Sequence, residues 1–105
     1  MAELKKGVEG RMIYLSGAIT NCPDYFEHFD NVKTKLEAKS FTVISPAHEI
    51  EKADGKKWED YMAEAICLMR MCNTVYMLNN WRKSTGARLE HALALRWNKT
   101  VIYER

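Results

Sequence analysis

Metal-binding and disulfide spacings are missing from this 105-residue chain. It has three cysteines, Cys22, Cys67 and Cys72, an odd number with no Cys-x-x-Cys pair. Its histidines, His28, His48 and His91, are far apart, with no His-x-x-x-His on a helix face. A zinc site is therefore not expected, and the thiols read as reduced side chains of a cytoplasmic protein. No apolar run approaches the roughly 20 residues of a membrane span, and the opening "MAELKKGVEGR" has no apolar core for a signal peptide. The formal charge is only +2, with the basic residues spread along the chain. That balance argues against a nucleic-acid polymer or an anionic membrane as partner. Low-complexity tracts and repeats are absent too. What remains is a soluble chain of a length suited to one domain, residues 1–105.

Four short β-branched or aromatic runs are present: "MIYL" (12–15), "FTVI" (41–44), "TVYML" (74–78) and "TVIY" (100–103). Each is almost continuously apolar, the pattern of a strand covered on both faces. Helical patterns lie between them. Residues 24–39 space Phe26, Phe29, Val32 and Leu36 along one face. Residues 58–72 place Trp58, Tyr61, Met62, Ala65, Ile66, Leu68, Met69 and Cys72 on one side, opposite Glu59, Asp60, Glu64 and Arg70. A third helix starts at Ser84, a good N-cap residue, and runs to about Asn98. Alternating strand and helix predict an α/β, three-layer sandwich, with a four-stranded parallel sheet and helices on both faces. The longest polar connection, residues 47–57, is the expected place for a mobile lid or a partner-facing loop.

Ligands of such sheets bind beyond the carboxyl ends of the strands. There the chain carries "SGAIT" (16–20) after the first strand and "NNWRKSTGA" (79–87) after the third. Both are small-residue turns leading into helices, suited to holding an anion through backbone N–H groups and hydroxyls. The fourth strand runs into the C-terminus and is expected to add nothing. On the third helix, about 100° per residue sets Leu89, Leu93, Gly86, Trp97, Glu90, Ala94 and Ala87 on one arc. Glu90 is the one charged residue there. A buried, unpaired carboxylate costs several kcal/mol or takes up a proton. Two readings account for it: a structural ion pair or hydrogen bond, with Tyr14 a candidate partner, and a nucleophile or general base at the mouth of the sheet. Gly86, in the first turn, would let a ligand approach the backbone.

"IYLSGAIT", then "ISPA", then "CNTVYMLNNW..STGARLEHALA" resemble, in that order, the nucleoside 2-deoxyribosyltransferase-like superfamily. The nearest resemblance is to small phage and bacterial proteins with YLSGPIT and GAxxE motifs. It spans residues 12 to about 102. The resemblance implies a flavodoxin-like fold and cleavage or transfer at the N-glycosidic bond of a 2-deoxyribonucleoside or its 5′-monophosphate. By motif position Glu90 would be the nucleophile and Tyr14 the aromatic residue that orients it. Ser16, Gly17, Ala18, Ile19 and Thr20 would hold sugar or phosphate, Ser84 and Gly86 would form the opposing half, and Trp81 would stack on the base. No cofactor or metal is implied. Superfamily members assemble so that a neighbouring subunit completes the pocket, which implies a homodimer or higher oligomer here. The second helix is rich in methionine and aromatics, as adaptable contact surfaces often are, although Met62, Met69 and Tyr61 facing the sheet would account for most of that stripe.

Three positions depart from the pattern. Ala18 stands where relatives have proline, and Asn73 where they have aspartate. Ala65 occupies the position of the leaving-group acid. Glu64, one residue away, and Asp60, a turn earlier, are the possible general acids, although one residue rotates a helical side chain by about 100°. His48 and His91 are further proton-donor candidates. The second reading is therefore a catalytically silent nucleotide-binding or regulatory module of the same fold.

Overall fold

The computed structural model describes residues 12–105. The N-terminal stretch read above as lacking a signal-peptide core lies outside them. In chain order the elements are β1 (Met12–Ser16), α1 (Tyr25–Glu37), β2 (Thr42–Ile44), α2 (Pro46–Glu49), α3 (Trp58–Arg70), β3 (Thr74–Met77), a 3-10 turn (Trp81–Lys83), α4 (Thr85–Arg96) and β4 (Thr100–Tyr103). All strand pairs are parallel, in the order β2-β1-β3-β4. This is the expected α/β sandwich with the flavodoxin-like strand order, in which the chain reverses its winding direction between β1 and β3.

Side-chain alternation along β1 builds two cores. Ile13 and Leu15 join Phe29, Val32 and Leu36 of α1 on one face of the sheet. Tyr14 faces the other way and joins Val75 and Met77 of β3 with Ala65 and Met69 of α3 and Ala87 and Ala94 of α4. Successive residues of a strand point to opposite faces, so Ser16 shares the side of Tyr14. Asn98 and Ser40 adopt left-handed backbone (φ 57° and 71°) just past α4 and α1, where they turn the chain toward β4 and β2.

Several expectations are corrected. Residues 47–57 are not one open connection. Pro46–Glu49 form a helical turn with proline at its first position, where no donor is lost. The remainder is strapped to α3: Ala53 N–H donates to the Tyr61 hydroxyl at 3.2 Å, and Lys56 lies over the Tyr61 ring. On α4 the buried face is Gly86, Ala87, Glu90 and Ala94, while Leu89 and Trp97 are 42% and 41% exposed. The buried arc is thus centred nearer Glu90 than hydropathy suggested. The stripe on α3 needs little correction: Met69 is fully buried as expected, while Tyr61 and Met62 line a cleft. Phe26 is half exposed and stacks on His48. As an edge strand, β4 leaves Ile102 and Tyr103 partly exposed.

The C-terminus also contributes. Glu104 Oε1 accepts from Asn79 N–H and pairs with His28 Nε2, each at 2.9 Å, which ties the end of the chain to the turn after β3 and to α1. No helix among the described residues is long and apolar enough to cross a membrane.

Candidate functional site

Glu90 is 5% exposed and both of its oxygens are engaged. The Tyr14 hydroxyl donates to Oε2 and the Ser16 hydroxyl to Oε1, each at 2.6 Å. Those lengths are typical of O–H···O⁻ bonds, stronger than bonds between neutral groups. The two donors stand two residues apart on β1, so strand alternation alone aims both at the face of α4. Burial nevertheless dominates. It lifts the Glu90 carboxyl from its ordinary 4.5 to about 7, against the lowering effect of the Ser16 and Tyr14 hydrogen bonds. Burial, and then the facing carboxylate, push the Tyr14 phenol well above its ordinary value. Tyr14 therefore stays a hydrogen-bond donor at any physiological pH. Of the two structural readings the hydrogen bond to Tyr14 is the one present. It leaves the functional reading intact, because each carboxylate oxygen has a further lone pair and, among the described residues, no lysine or arginine pairs with the group.

Glu90 and Tyr14 sit at the floor of a cleft of about 330 Å³, within the size range of small-molecule sites. The cleft opens at the carboxyl ends of β1 and β3, where the winding reverses. Gly17, Ile19 and Thr20 from the turn after β1 line it, together with Ser84, Gly86 and Ala87 from the start of α4. Ser84 also caps α4, accepting from Ala87 N–H at 3.1 Å. Gly17 is required where it stands, since a Cβ would come within 2.8 Å of the Leu78 Cβ. At Gly86 a Cβ would press on the Met62 sulfur, 2.9 Å away in a flexible side chain, with Met62 Cε and Ser84 Oγ in ordinary contact. Gly86 thus sits against Met62 within the cleft wall.

Other candidates fall elsewhere. Ser16 is fully buried and holds Glu90, so it is not on the cleft wall. The Ala18 N–H is occupied by Asn80 Oδ1 at 3.1 Å, and this bond braces the turns after β1 and β3 against each other. Trp81 is not in the cleft: its 3-10 turn carries it onto the His91 ring at 4.2 Å and toward Tyr103. Glu64 projects to the outer side of α3 and pairs with Lys56 at 2.5 Å. Asp60 accepts from Lys57 N–H at 2.8 Å at the start of the same helix. Neither possible general acid reaches the cleft. His91 is bound to the Tyr103 hydroxyl, and His48 to Ser45 and Asp30.

Sequence reasoning missed much of the outer rim. Trp58 opens α3 and is 46% exposed at the cleft edge, with Tyr61 one turn further in. The signal was available, for a large aromatic at the first position of a helix, just after a polar loop, has little core to enter. Tyr25, Asn21 and Lys52 complete the mouth. Asn21 is held in left-handed backbone at φ 59°, a conformation uncommon outside glycine and more common for asparagine than for most residues.

A family model described as a domain of unknown function, DUF4406, matches residues 11–103. No curated protein matches the chain in sequence. Among solved structures, a 2-desoxiribosyltransferase from Leishmania mexicana is similar with a TM-score of 0.68 at 18% identity. The match covers 89% of this chain and spans 63% of the length of that one. This likeness shows a shared fold.

Proposed function

The chain belongs to the DUF4406 family, and on that premise we propose that it cleaves or transfers at the N-glycosidic bond of a 2-deoxyribonucleoside or its 5′-monophosphate, with Glu90 as nucleophile. One observation carries the reading: a desolvated carboxylate, clamped by two hydroxyls at the floor of an aromatic-rimmed cleft. The structural neighbour, a deoxyribosyltransferase by name, supports it. The Glu90 carboxylate attacks C1′, the C1′–N bond breaks, and its electron pair leaves with the base, which takes up a proton. A deoxyribosyl ester of Glu90 results. Water or a second base then attacks C1′ and returns the carboxylate. Low local polarity strengthens the attraction between the carboxylate and the oxocarbenium-like transition state. Tyr14 and Ser16 fix its two oxygens, and Trp58 and Tyr61 offer the base a stacking surface. The reading takes residues 1–105 as one domain.

The test is chromatographic release of free base from the common deoxynucleosides and their 5′-monophosphates. Glu90→Gln is expected to lower release by roughly 10³-fold or more. Because the ionised form attacks, activity should rise with pH through about 7. Intact substrate after prolonged incubation at high enzyme concentration would refute the reading. An added second base that suppresses free sugar would mark a transferase.

A second reading, a nucleotide-binding module without turnover, is favoured by one feature. Among the described residues Glu90 is the one carboxylate on the cleft wall, so a leaving-group acid is missing there. It predicts a nucleotide-induced thermal shift that survives Glu90→Gln, with no product from either form. We also propose self-association, in which a neighbouring subunit supplies the missing acid. Sedimentation at micromolar concentration tests for it.

A further inference from the structure

Among the described residues, Lys52 is the one lysine or arginine on the cleft wall. It stands on the connection that α3 straps down, and its ammonium lies 4.7 Å over the centre of the Tyr25 ring, at the start of α1. The contact therefore spans the mouth between the segment after β2 and the turn after β1. Other lysines nearby are committed: Lys33 to Glu37, Lys56 to Glu64 and the Glu51 carbonyl. Lys52 pairs with no carboxylate among the described residues, and an exposed cation–π contact is weak enough to give way to an anion. Thr20 and Asn21 line the same mouth and bring a hydroxyl and an amide. The cleft thus carries a negative group at its floor and a displaceable positive group at its rim.

We propose that Lys52 is a specificity residue of this cleft: it leaves the Tyr25 ring for a phosphate monoester on the ligand, so that the site prefers the phosphorylated nucleotide to the free nucleoside. The proposal deepens the functional reading above and rests on its assignment of the cleft to a nucleoside ligand. The elements fit. A phosphate dianion accepts well from an ammonium on a flexible stem, and neutral donors beside it add direction. Glu90 would repel a phosphate placed at the floor, which orients the ligand with its phosphate outward.

The experiment is titration calorimetry of the full chain with each common 2′-deoxynucleoside and its 5′-monophosphate, for wild type, Lys52→Met and Lys52→Arg, alongside assay of base release. Wild type is expected to bind the monophosphate about tenfold or more tightly than the nucleoside, as one charge-assisted hydrogen bond allows. In Lys52→Met that ratio falls to within about threefold of unity. In Lys52→Arg most of it is retained, since the charge persists. A wild-type ratio near one, a ratio unmoved in Lys52→Met, or no binding of either ligand overturns the proposal. The two readings separate cleanly. A preference lost in Lys52→Met without base release upholds Lys52 and refutes the glycosidase. Base release from nucleoside and monophosphate alike, indifferent to Lys52→Met, does the reverse.

Discussion

At the scale of single residues, Glu90 links stability to pH in a direction opposite to that of most carboxylates. Its folded pKa lies above its ordinary value, so the folded state holds the proton more tightly than the unfolded chain. The contribution to stability is full below about pH 4.5 and is lost as pH rises through about 7. At roughly 1.36 kcal/mol per pH unit, the penalty for the ionised, buried form is on the order of 3 kcal/mol. Glutamine mimics the protonated acid, and its amide can donate where the carboxylate accepted. Glu90→Gln is therefore expected to be about 1–3 kcal/mol more stable than wild type at pH 8, with near parity at pH 4.5, read from urea denaturation at both pH values. Equal stabilities at pH 8 would mean that Glu90 is not desolvated. Tyr14 is a positioning residue by the same logic. Tyr14→Phe removes a donor that favours the charged form, so the Glu90 carboxyl should titrate at higher pH still. The carboxyl ¹³C resonance reports this without any substrate. The acidic limb of base release should move with it, whereas a purely structural tyrosine would lower stability and leave the limb in place.

Among elements, strand β1 and helix α4 were the most legible in sequence, for reasons that also set their tolerance to change. An unbroken apolar run announces a central strand, and its alternation puts Tyr14 and Ser16 on one face before any coordinates are known. Helical periodicity likewise brought Glu90 to the buried side of α4. What periodicity does not carry is the packing of turns. Trp81 follows a 3-10 turn onto His91 and not into the cleft. Nothing in the spacing of residues 50–57 says that Lys52 crosses the mouth, because the loop's path is fixed by its contacts with α3. Gly17 tests the tightest of these turns. Its Cβ would meet both the Cβ and the Cδ1 of Leu78. Rotation of Leu78 cannot move its Cβ, and Leu78 is fully buried. Gly17→Ala should therefore cost about 1–3 kcal/mol and displace the wall that carries Ile19 and Thr20. Ser84→Ala, which removes the cap of α4, should cost about 1 kcal/mol. Denaturant midpoints rank the two. A Gly17→Ala protein as stable as wild type would show that the turn relaxes freely.

For the whole molecule, the strand order brings the turns after β1 and β3 together and leaves the outer edges to be secured by other means. Asn80 braces the cleft side through the Ala18 N–H. Glu104 braces the end of β4, and no pattern in the sequence pointed to it, since a terminal glutamate after a short strand looks like solvated tail. Its single Oε1 serves both Asn79 N–H and His28 Nε2, joining the last strand, the turn after β3 and helix α1. His28 and Glu104 are partly exposed, with side chains at 23% and 19%, so screening reduces the ionic share and the backbone hydrogen bond supplies most of the effect. Glu104→Ala should cost about 1–2 kcal/mol. Glu104→Gln keeps an acceptor for Asn79 and should cost less than half as much. None of the three residues lines the cleft, so ligand affinity at 20 °C should match wild type in both variants while the denaturation midpoint drops. Equal losses in Glu104→Ala and Glu104→Gln would assign the effect to the charge pair. A loss of affinity with no loss of stability would instead mean that the C-terminal brace sets the shape of the cleft itself.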